Sequence, residues 1–567
     1  MPLYLLDYGA GNVQSLANTL TRLGHTFQWI SGPDDFDKAT SLIFPGVGAF
    51  QTAVDGLVSR GLLEPLRQYI ASGRPYFGIC IGMQVLYQSS TEAGDTPGLG
   101  VIPGIIDTFS SAEKSVPHMG WNAVELLDAE QGARPSEGIR TGAHYYFVHS
   151  FRASYDPDRA PEAARWAHAV AQYGQEVFVA SVRRANVFAT QFHPEKSGAA
   201  GLALLDAWLR EPEAVRADAP AASRVPRPPR PADGLTKRII ACMDVRANDQ
   251  GDLVVTKGDQ YDVREKGAGE DASGEGRAVR TAGAVRNLGK PVALAARYFA
   301  EGADELALLN ITSFRHSPLR DQPMLAVVRA AAEEVFVPLT IGGGIKDTVD
   351  PDGTLRSALE VAGAYFRAGA DKVSIGSEAV YAVERMRAAG GVGDGRSAIE
   401  TIARTYGRQA VVVSIDPKRV YVDVDYAGPR AEEVVRGAED GPEAERGKAW
   451  WYQCTVSGGR EARDLSVVEL ARGVEALGAG EILVNSIDRD GTGIGFDTAL
   501  VSLVRKAVRI PVVASSGAGS PAHFVEVFRD TGVEAALAAG IFHRNEVRIA
   551  DVKAALEDAG LSARRDM

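Results

Sequence analysis

The sequence predicts two α/β domains: an open, mainly parallel sheet in the first part of the chain and a (βα)8 TIM barrel built of two half-barrels in the second. Three observations predict this architecture. A proline-rich stretch divides the chain, short apolar runs alternate with helical periodicity on both sides of it, and four strand motifs of the second part recur at near-constant spacing. Alternating strands and helices are typical of parallel sheets, and constant spacing indicates internal duplication.

Composition indicates a soluble globular protein of more than one domain. The chain has 567 residues, which is too long for one ordinary core, and its 45% hydrophobic and 24% charged content is that of folded domains. The formal net charge of −12 argues against a general polyanion-binding surface, so we expect no nucleic acid partner. Only Cys80, Cys242 and Cys454 occur, with no CxxC pair, which favours a reducing compartment.

The N-terminal sequence carries no signal for export. Its apolar run in MPLYLLDYGAGN is too short to span a membrane. It also lacks the basic region and the cleavage pattern of a signal peptide. We therefore expect a cytoplasmic protein without a membrane partner.

The domain boundary is predicted at residues 211–234, EPEAVRADAPAASRVPRPPRPADG. This stretch offers little apolar surface to bury, and its prolines block both helix and inner strand. It separates a first domain at 1–210 from a second at 235–560. In the first domain, LYLLDY, SLIFPG and PYFGIC are predicted to be buried strands.

The second domain contains an internal repeat of four strand motifs. The offsets between equivalent residues are 172, 176 and 174 positions, for the pairs Asp244 and Asp416, Glu305 and Glu481, and Gly343 and Gly517. Two halves of four βα units close naturally into an eight-stranded barrel. A polar, glycine-rich insertion at 263–287 follows the first strand region at Lys257, and we expect it on the catalytic face, where it could act as a lid. The stretch at 426–448 is similarly polar.

The motif PYFGICIGMQVL predicts a nucleophilic cysteine. It places Cys80 between an apolar strand and a helix, and Gly78 and Gly82 permit a sharp turn there. The helix N-terminus favours a thiolate. QFHPEKS supplies His193 as the base and Glu195 to orient it.

The glycine-rich turn PGVGAF at 45–50, which contains Gly46 and Gly48, is a candidate oxyanion hole. The alternative for this whole set is a structural cysteine with a surface His-Pro-Glu turn, because a free cysteine is usually a small buried hydrophobe.

The ordered PG-G turn, G-C-G elbow and H-P-E motif resemble class I glutamine amidotransferases over residues 1–210. The resemblance implies a flavodoxin-like open sheet and a glutaminase, in which Cys80 attacks the glutamine side-chain amide and releases ammonia. It also implies that Gln84 helps to hold glutamine. PHMGWN and YYFVHS are similar to the histidine-pathway branch, and we expect them to face the partner domain. Trp121 and Tyr146 within them could equally be ordinary core aromatics.

Glycine-rich turns in the second domain predict two phosphate sites. Glycines let backbone N–H groups approach an anion, and helices after such turns direct their positive ends at it. Because the turns occur as two repeat-related pairs, we expect a ligand phosphorylated at both ends. The candidate residues are Gly343, Gly344, Gly376 and Ser377 in one half and Ser516, Gly517 and Gly540 in the other.

Asp244 and Asp416 are predicted at the ends of the first and fifth barrel strands, between the two phosphate sites. Paired carboxylates on opposite sides of a substrate suit general acid and general base roles. The alternative is that they cap loops. Lys257 could steady a phosphate or a developing charge, or could be solvated.

The second domain resembles the cyclase of the imidazole glycerol phosphate synthase family through ACMDV, VVTKGDQ, GGGIKD, SIDPKR and EILVNSIDRDG. The order of the domains and the insertion after Lys257 resemble the fused form of fungi and plants. The resemblance implies a bisphosphorylated ribotide of histidine biosynthesis as the substrate, Asp488 among the substrate-binding residues, and no metal or other cofactor.

Four charged residues, Arg238, Glu305, Lys372 and Glu481, are predicted at the starts of barrel strands. Alternating charges there could form a ring across the barrel floor, where a barrel is otherwise apolar. In the family these positions resemble an ammonia gate. A static layer of ion pairs that closes the barrel is the alternative.

The predicted function is therefore an amidotransferase that delivers ammonia from glutamine to a cyclase in the same chain. Since one chain holds both domains, we expect a monomer. The alternatives are an amidotransferase with another acceptor, a ProFAR-isomerase-like barrel, and a nitrogen sensor that binds without turnover. A sensor has no need of a complete Cys80, His193 and Glu195 set.

Overall fold

The computed structural model describes residues 2–9, 11–127, 138–217, 225–247, 253–256, 278–281, 284–287, 289–311, 319, 323–439 and 442–565. Lys257 and most of the insertion predicted to act as a lid lie outside these residues. In the part that is described, no helix has the length and apolar character needed to cross a membrane.

The first part of the chain alternates strands and helices at its start and ends in an antiparallel region. Its strands are β1 (Leu3–Leu5), β2 (Phe27–Trp29), β3 (Ser41–Phe44), β4 (Tyr76–Ile79), β5 (Tyr87–Ser90), β6 (Thr96–Pro97), β7 (Ile102–Thr108), β8 (His118–Ala123), β9 (Glu125–Leu126), β10 (His144–His149), β11 (Phe151–Arg152), β12 (Ala167–Tyr173), β13 (Glu176–Arg184) and β14 (Val187–Thr190). Its helices are α1 (Gln14–Arg22), α2 (Asp35–Lys38), α3 (Phe50–Ser59), α4 (Leu63–Ala71), α5 (Ile81–Gln84), α6 (Pro161–Ala164), α7 (Gly198–Arg210) and α8 (Glu213–Arg216).

The main sheet of this part has the order β2-β1-β3-β4-β14-β13-β12-β9. The first five strands are parallel and the last three are antiparallel. All three predicted apolar runs form strands of this sheet. Alternate residues enter different cores: Leu42 and Phe44 pack on one face and Ile43 on the other. Because both faces are covered, the strands are apolar throughout, and the predicted open, flavodoxin-like α/β sheet is confirmed.

The second part of the chain also alternates strands and helices. Its strands are β15 (Arg238–Ala247), β16 (Leu253–Thr256), β17 (Ala278–Thr281), β18 (Ala284–Asn287), β19 (Glu305–Asn310), β20 (Leu339–Gly342), β21 (Thr348–Val349), β22 (Leu355–Arg356), β23 (Lys372–Ile375), β24 (Val411–Ile415), β25 (Pro417–Val422), β26 (Val435–Arg436), β27 (Ala449–Val456), β28 (Glu461–Ser466), β29 (Glu481–Asn485), β30 (Val512–Ser515) and β31 (Ala535–Ala538). Its helices are α9 (Gly289–Ala300), α10 (Pro323–Glu334), α11 (Ala358–Ala368), α12 (Ser377–Ala388), α13 (Ala398–Tyr406), α14 (Val467–Ala476), α15 (Thr498–Ala507), α16 (Pro521–Thr531), α17 (Gly540–His543) and α18 (Ile549–Asp558).

Eight parallel strands close into a barrel in the order β15-β19-β20-β23-β24-β29-β30-β31, and β31 pairs with β15. The repeat therefore maps strand for strand, with β24 equivalent to β15 and β30 equivalent to β20. Alternation within a strand divides the core: Ile240 and Cys242 belong to a small inner cluster, whereas Ile239 and Ala241 pack on the helical layer. The predicted (βα)8 barrel is confirmed.

Two local features differ from the sequence-based expectations. The predicted linker begins with a helical turn, α8, because Pro212 stands before the turn, where its missing N–H costs nothing. The polar stretch at 426–448 contributes the edge strand β26 to an antiparallel sheet with β25, β27 and β28. This sheet follows β24 directly and lies beside Asp416, since Thr455 of β27 donates a hydrogen bond to the Asp416 carbonyl at 2.6 Å.

The first domain docks on the amino ends of the barrel strands. The indole N–H of Trp121 donates to the carbonyl of Asp304, the residue before β19, at 2.9 Å. Asn12 donates to the carboxylate of Asp371, the residue before β23, at 2.8 Å. Lys196 forms an ion pair with the same carboxylate at 2.8 Å. The expectation that PHMGWN faces the partner domain is confirmed by the Trp121 contact.

Asp304 also joins the C-terminal segment to this interface. Its buried carboxylate accepts from Lys553 at 2.5 Å and from Arg564 at 2.8 Å, and from the Ile239 backbone N–H at 2.9 Å. The Arg564 guanidinium in turn lies 4.0 Å from the Trp121 ring centroid. Burial raises the pKa of Asp304, but the two cations and the N–H group outweigh burial and lower it overall.

We predict that Asp304→Ala lowers the free energy of unfolding by about 3–5 kcal/mol, because it removes the carboxylate that two buried cations contact. Urea denaturation followed by fluorescence measures this change. Asp530→Ala, at an exposed position, is the matched control and should stay within about 0.5 kcal/mol of the parent. Equal effects of the two substitutions would contradict the role given to Asp304.

Candidate active sites

The turn at Cys80 has the strained backbone of a nucleophile elbow. Cys80 has φ 51° and ψ −101°, a conformation that non-glycine residues rarely adopt. Gly82 is required by close packing, since a Cβ there would lie 2.0 Å from the Phe44 carbonyl oxygen. The Cys80 side chain thus leaves the carboxyl end of β4 at the start of α5, which is a single helical turn.

The predicted oxyanion turn lies against this elbow. The Ile81 N–H donates to the Gly46 carbonyl at 3.5 Å, and the hydroxyl of Tyr8 donates to the Val47 carbonyl at 2.8 Å. A Cβ at Gly48 would lie 2.9 Å from the same hydroxyl. The turn is therefore packed between Tyr8 and the residue that follows the nucleophile.

His193 and Glu195 form a buried pair. Nδ1 of His193 lies 2.8 Å from Oε1 of Glu195, which a 3₁₀ turn at Pro194–Lys196 presents to it. Burial opposes the imidazolium, but the charges of Glu195 and Cys80 outweigh burial and raise the pKa of His193 well above its ordinary value. Because Nδ1 faces the carboxylate, Nε2 is the nitrogen left for proton exchange with the cysteine.

Gln191 is a site residue that the sequence analysis missed. Its side-chain amide donates to Sγ of Cys80 at 3.4 Å, and its Oε1 accepts from Gln84 at 3.0 Å. Gln84 is buried and also donates to the Phe151 carbonyl at 3.0 Å. The available signal was the position of Gln191 two residues before His193, in the short segment that follows β14.

The four charged residues predicted on the barrel floor form a closed, fully buried ring. The contacts that join them are Arg238 to Glu305 at 2.8 Å, Arg238 to Glu481, Lys372 to Glu305 at 2.7 Å and Lys372 to Glu481 at 2.6 Å. Thr340 adds a hydrogen bond to Glu305 at 2.6 Å. Lys372 also touches Sδ of Met119 in the first domain at 3.4 Å. We call these four residues the charged ring.

Above the charged ring the barrel interior is mostly apolar, and the buried Ser374 also lies there, opposite Val412 in the β23–β24 register. The inner cluster is lined by Ile240, Cys242, Ala307, Val412, Leu483, Val513, Ala535 and Leu537. Burial and the neighbouring carboxylates raise the pKa of the Cys242 thiol, so this cysteine is a neutral member of the lining. Moving a small neutral polar molecule into such a lining costs much less desolvation free energy than moving an ion into it.

Asp244 and Asp416 stand at the opposite, carboxyl end of the barrel. The prediction that Asp244 ends the first strand is wrong, because β15 continues to Ala247 by pairing with β16. Asp416 lies between β24 and β25 and accepts from the Asn485 amide at 2.9 Å. Burial raises the pKa of Asp416, Asn485 lowers it, Asp490 raises it, and the net shift is upward.

The predicted phosphate turns follow four strands at this same end. Gly343 and Gly344 have φ of 91° and 78° after β20, and Ser516 and Gly517 have φ of 73° and 94° at the equivalent place after β30. A Cβ on Gly517 would lie 2.2 Å from the Gly495 carbonyl oxygen, so the turn after β29 packs against it.

Two more predicted residues begin helices there. Ser377 begins α12 after β23, with Gly376 before it, and Gly540 begins α17 after β31. The Ser377 hydroxyl accepts from the Ser457 N–H at 2.9 Å. Asp488 accepts from the Arg419 backbone N–H at 2.9 Å, so its carboxylate holds the start of β25. Asp490, which the sequence analysis did not select, acts electrostatically on both Cys242 and Asp416 and therefore lies at the mouth.

Two family models match the chain. Residues 4–210 match the class I glutamine amidotransferase family, and residues 238–548 match a histidine biosynthesis protein family. An imidazole glycerol phosphate synthase hisHF of Emericella nidulans is 52% identical over 563 residues, which is 99% of this chain and 98% of that protein.

Two further relatives carry the same name. The protein of Schizosaccharomyces pombe is 52% identical over 554 residues, 97% of each chain. The Arabidopsis thaliana protein, named chloroplastic, is 51% identical over 570 residues, 99% of this chain and 89% of its own.

The fold and the matched regions define a class of enzyme in which a glutamine amidotransferase domain is joined to a duplicated (βα)8-barrel domain. Within that class the chain belongs to the family of fused, bifunctional imidazole glycerol phosphate synthases of histidine biosynthesis.

We predict opposite pH shifts from two substitutions beside Asp416. Asn485→Leu removes a bond that favours the carboxylate, so the pKa of Asp416 rises; with Asp416 as the general acid or base expected from the sequence, its limb in the pH profile of the ammonia-dependent reaction moves to higher pH. Asp490→Asn removes a neighbouring negative charge, so that limb moves to lower pH. Steady-state rates across pH with ammonium salts measure both. Shifts in the same direction would contradict this electrostatic assignment.

Proposed function

We propose that Cys80, His193 and Glu195 hydrolyse glutamine and that Asp244 and Asp416 use the released ammonia in the barrel. The products are glutamate, imidazole glycerol phosphate and aminoimidazole carboxamide ribotide, formed from the bisphosphorylated ribotide. The observation that carries this proposal is a single chain with a nucleophile elbow beside a buried His193–Glu195 pair at one end and paired aspartates at the barrel mouth at the other.

In the glutaminase, Cys80 Sγ attacks the side-chain amide carbon of glutamine. His193 holds the thiol proton at Nε2 and passes it to the leaving nitrogen, so ammonia departs and a γ-glutamyl thioester forms. Water then attacks the thioester with His193 as the base, which releases glutamate and restores the thiol. Glu195 fixes the imidazole through Nδ1 throughout. Gln84 holds glutamine, and N–H groups near Gly46 and Gly48 stabilise the oxyanion.

Ammonia then passes to the barrel mouth through the interior. The docked first domain covers the amino ends of the strands, and the charged ring followed by the apolar inner cluster lies between that interface and the aspartates. Neutral ammonia would be protonated in bulk water, so an enclosed route preserves its nucleophilicity. Arg238, Glu305, Lys372 and Glu481 gate this route in the proposal.

At the mouth, the turns after β20 and β23 hold one phosphate and those after β30 and β31 hold the other. The ribotide then spans the barrel with its reacting atoms between Asp244 and Asp416, which donate and accept protons during ammonia addition, ring closure and cleavage. Lys257 and Asp488 belong to the proposed binding set on family resemblance.

The proposed division of the chain is a glutaminase domain at 1–210, a linker at 211–234 and a cyclase domain at 235–560. The two family matches, at 4–210 and 238–548, support it. A monomer is the proposed state, because one chain holds both sites. The cytoplasm is the proposed location.

The coupled reaction is tested by measuring glutamate release with and without the ribotide. We predict that the ribotide stimulates release and that Cys80→Ala lowers glutamine-dependent turnover by about a thousandfold or more. Its ammonia-dependent cyclisation should stay at the parental rate, since the barrel is untouched. Cys454→Ala, a second buried cysteine, is the control for loss of a thiol. Absence of stimulation by the ribotide would reject the coupled synthase.

The gate is tested by Lys372→Met, which removes one cation from the charged ring. We predict that glutamine-dependent cyclisation and ammonia-dependent cyclisation change by different factors, because only the first sends ammonia through the ring. Thr340→Val removes a hydrogen bond to the ring without a charge and is the control. Equal changes in both activities would support the static layer of ion pairs instead.

A further inference from the structure

A run of hydrogen bonds connects the interface strand β8 to the Sγ of Cys80. Its first half passes from Asn122 to His118 at 3.0 Å, from His118 to His149 at 3.1 Å and from His149 to the Phe151 carbonyl at 2.8 Å. Its second half passes from that carbonyl to Gln84 at 3.0 Å, from Gln84 to Gln191 at 3.0 Å and from Gln191 to Sγ at 3.4 Å. We call these groups the hydrogen-bond relay. Cys80 is the one residue that this relay shares with the glutaminase triad.

The Phe151 carbonyl determines which groups donate and which accept in the first half of the relay, from Asn122 to His149. A carbonyl oxygen only accepts, so Nδ1 of His149 must carry a proton and its Nε2 must accept. His118 then donates from Nδ1 and accepts at Nε2 from the Asn122 amide. Asn122 is in turn oriented, because the same nitrogen donates to the Gln172 carbonyl at 2.8 Å.

The same carbonyl determines the orientation of the two side-chain amides in the second half of the relay. Gln84 must present its amide nitrogen to the oxygen of Phe151, and the second hydrogen of that nitrogen goes to Oε1 of Gln191. Gln191 therefore turns its own nitrogen toward Cys80. If the Phe151 carbonyl were not held, both amides could flip and place an oxygen against the sulfur.

The relay is enclosed and its histidines are neutral. His118, His149 and Gln84 are all at most 3% exposed. Burial lowers the pKa of His149 to about 3 and that of His118 well below its ordinary value. Each ring therefore keeps one donor and one acceptor nitrogen at any pH at which the enzyme works.

Strand β8 brings the relay to the domain interface. His118 and Asn122 lie in the relay, while Met119 contacts Lys372 of the charged ring and Trp121 contacts Asp304. Strand β8 pairs with β10, and His118 lies directly opposite His149 in that register. The β8–β10 ladder therefore holds His118 and His149 opposite each other.

We propose that His149 is a positioning residue of the glutaminase: with His118 it holds the Phe151 carbonyl so that Gln84 and Gln191 keep the orientation in which Gln191 donates to the reacting sulfur. The proposal rests on the glutaminase function given above and deepens it. Gln191 is the relay member that contacts the reacting atom, and it favours the cysteine as a thiolate by donating to it.

Two substitutions of nearly the same shape test the proposal in the full chain. His149→Asn retains an N–H near the position of Nδ1, whereas His149→Leu retains none. We expect His149→Leu to lower the glutaminase kcat by about tenfold with little change in KM for glutamine, and His149→Asn to recover most of it. Ammonia-dependent cyclisation, measured on the same preparations, should be equal in all three proteins and reports the fold.

The outcomes separate the proposal from the function on which it rests. Equal losses of kcat in both variants, or a loss confined to KM, would overturn the role of His149. A parent protein without glutaminase activity would instead reject the proposed function itself. Nitrogen-15 labelling of histidine and NMR give an independent check, in which the His149 signal is assigned by its absence in the variants. A neutral His149 ring protonated at Nδ1 would support the relay. A ring protonated at Nε2 would overturn it.

Discussion

The docking of strand β8 on the amino end of the barrel is the contact on which the rest of the structure depends. This one strand gives Met119 to the charged ring and Trp121 to the carbonyl before β19. Its neighbouring residues His118 and Asn122 face the interior of the first domain. Because side chains alternate along a strand, one face of β8 contacts the barrel floor and the other face contacts the interior of the glutaminase domain.

Burial of the charged ring is the main electrostatic constraint at this interface. Two cations and two carboxylates with no solvent contact carry a large desolvation cost, and only their mutual contacts offset it. An apolar layer of the same volume would close the barrel at less cost. The extra cost of the charged layer supports the proposal that these four residues gate ammonia, and the docked domain covers them at the amino end of the barrel.

Much of the fold could be read from the sequence because it rests on local patterns. The apolar runs of the first sheet alternate between two cores, and the four repeated motifs give the eight strands of the barrel. The Cys80, His193 and Glu195 set was also visible, since each member lies in a short motif. Asp490 was not, because its effect on Asp416 arises from proximity at the barrel mouth and no local pattern marks it.

What the sequence by itself determined was therefore the pair of α/β domains, the duplicated half-barrel and the residue types of both sites. These follow from periodicity, from glycine in strained turns and from spacing along the chain. Only the tertiary structure decided which groups meet. Gln191 donates to Cys80, Lys372 closes the charged ring, and His118 lies opposite His149. Each of these contacts joins residues that are distant in sequence, and packing alone fixes their separation.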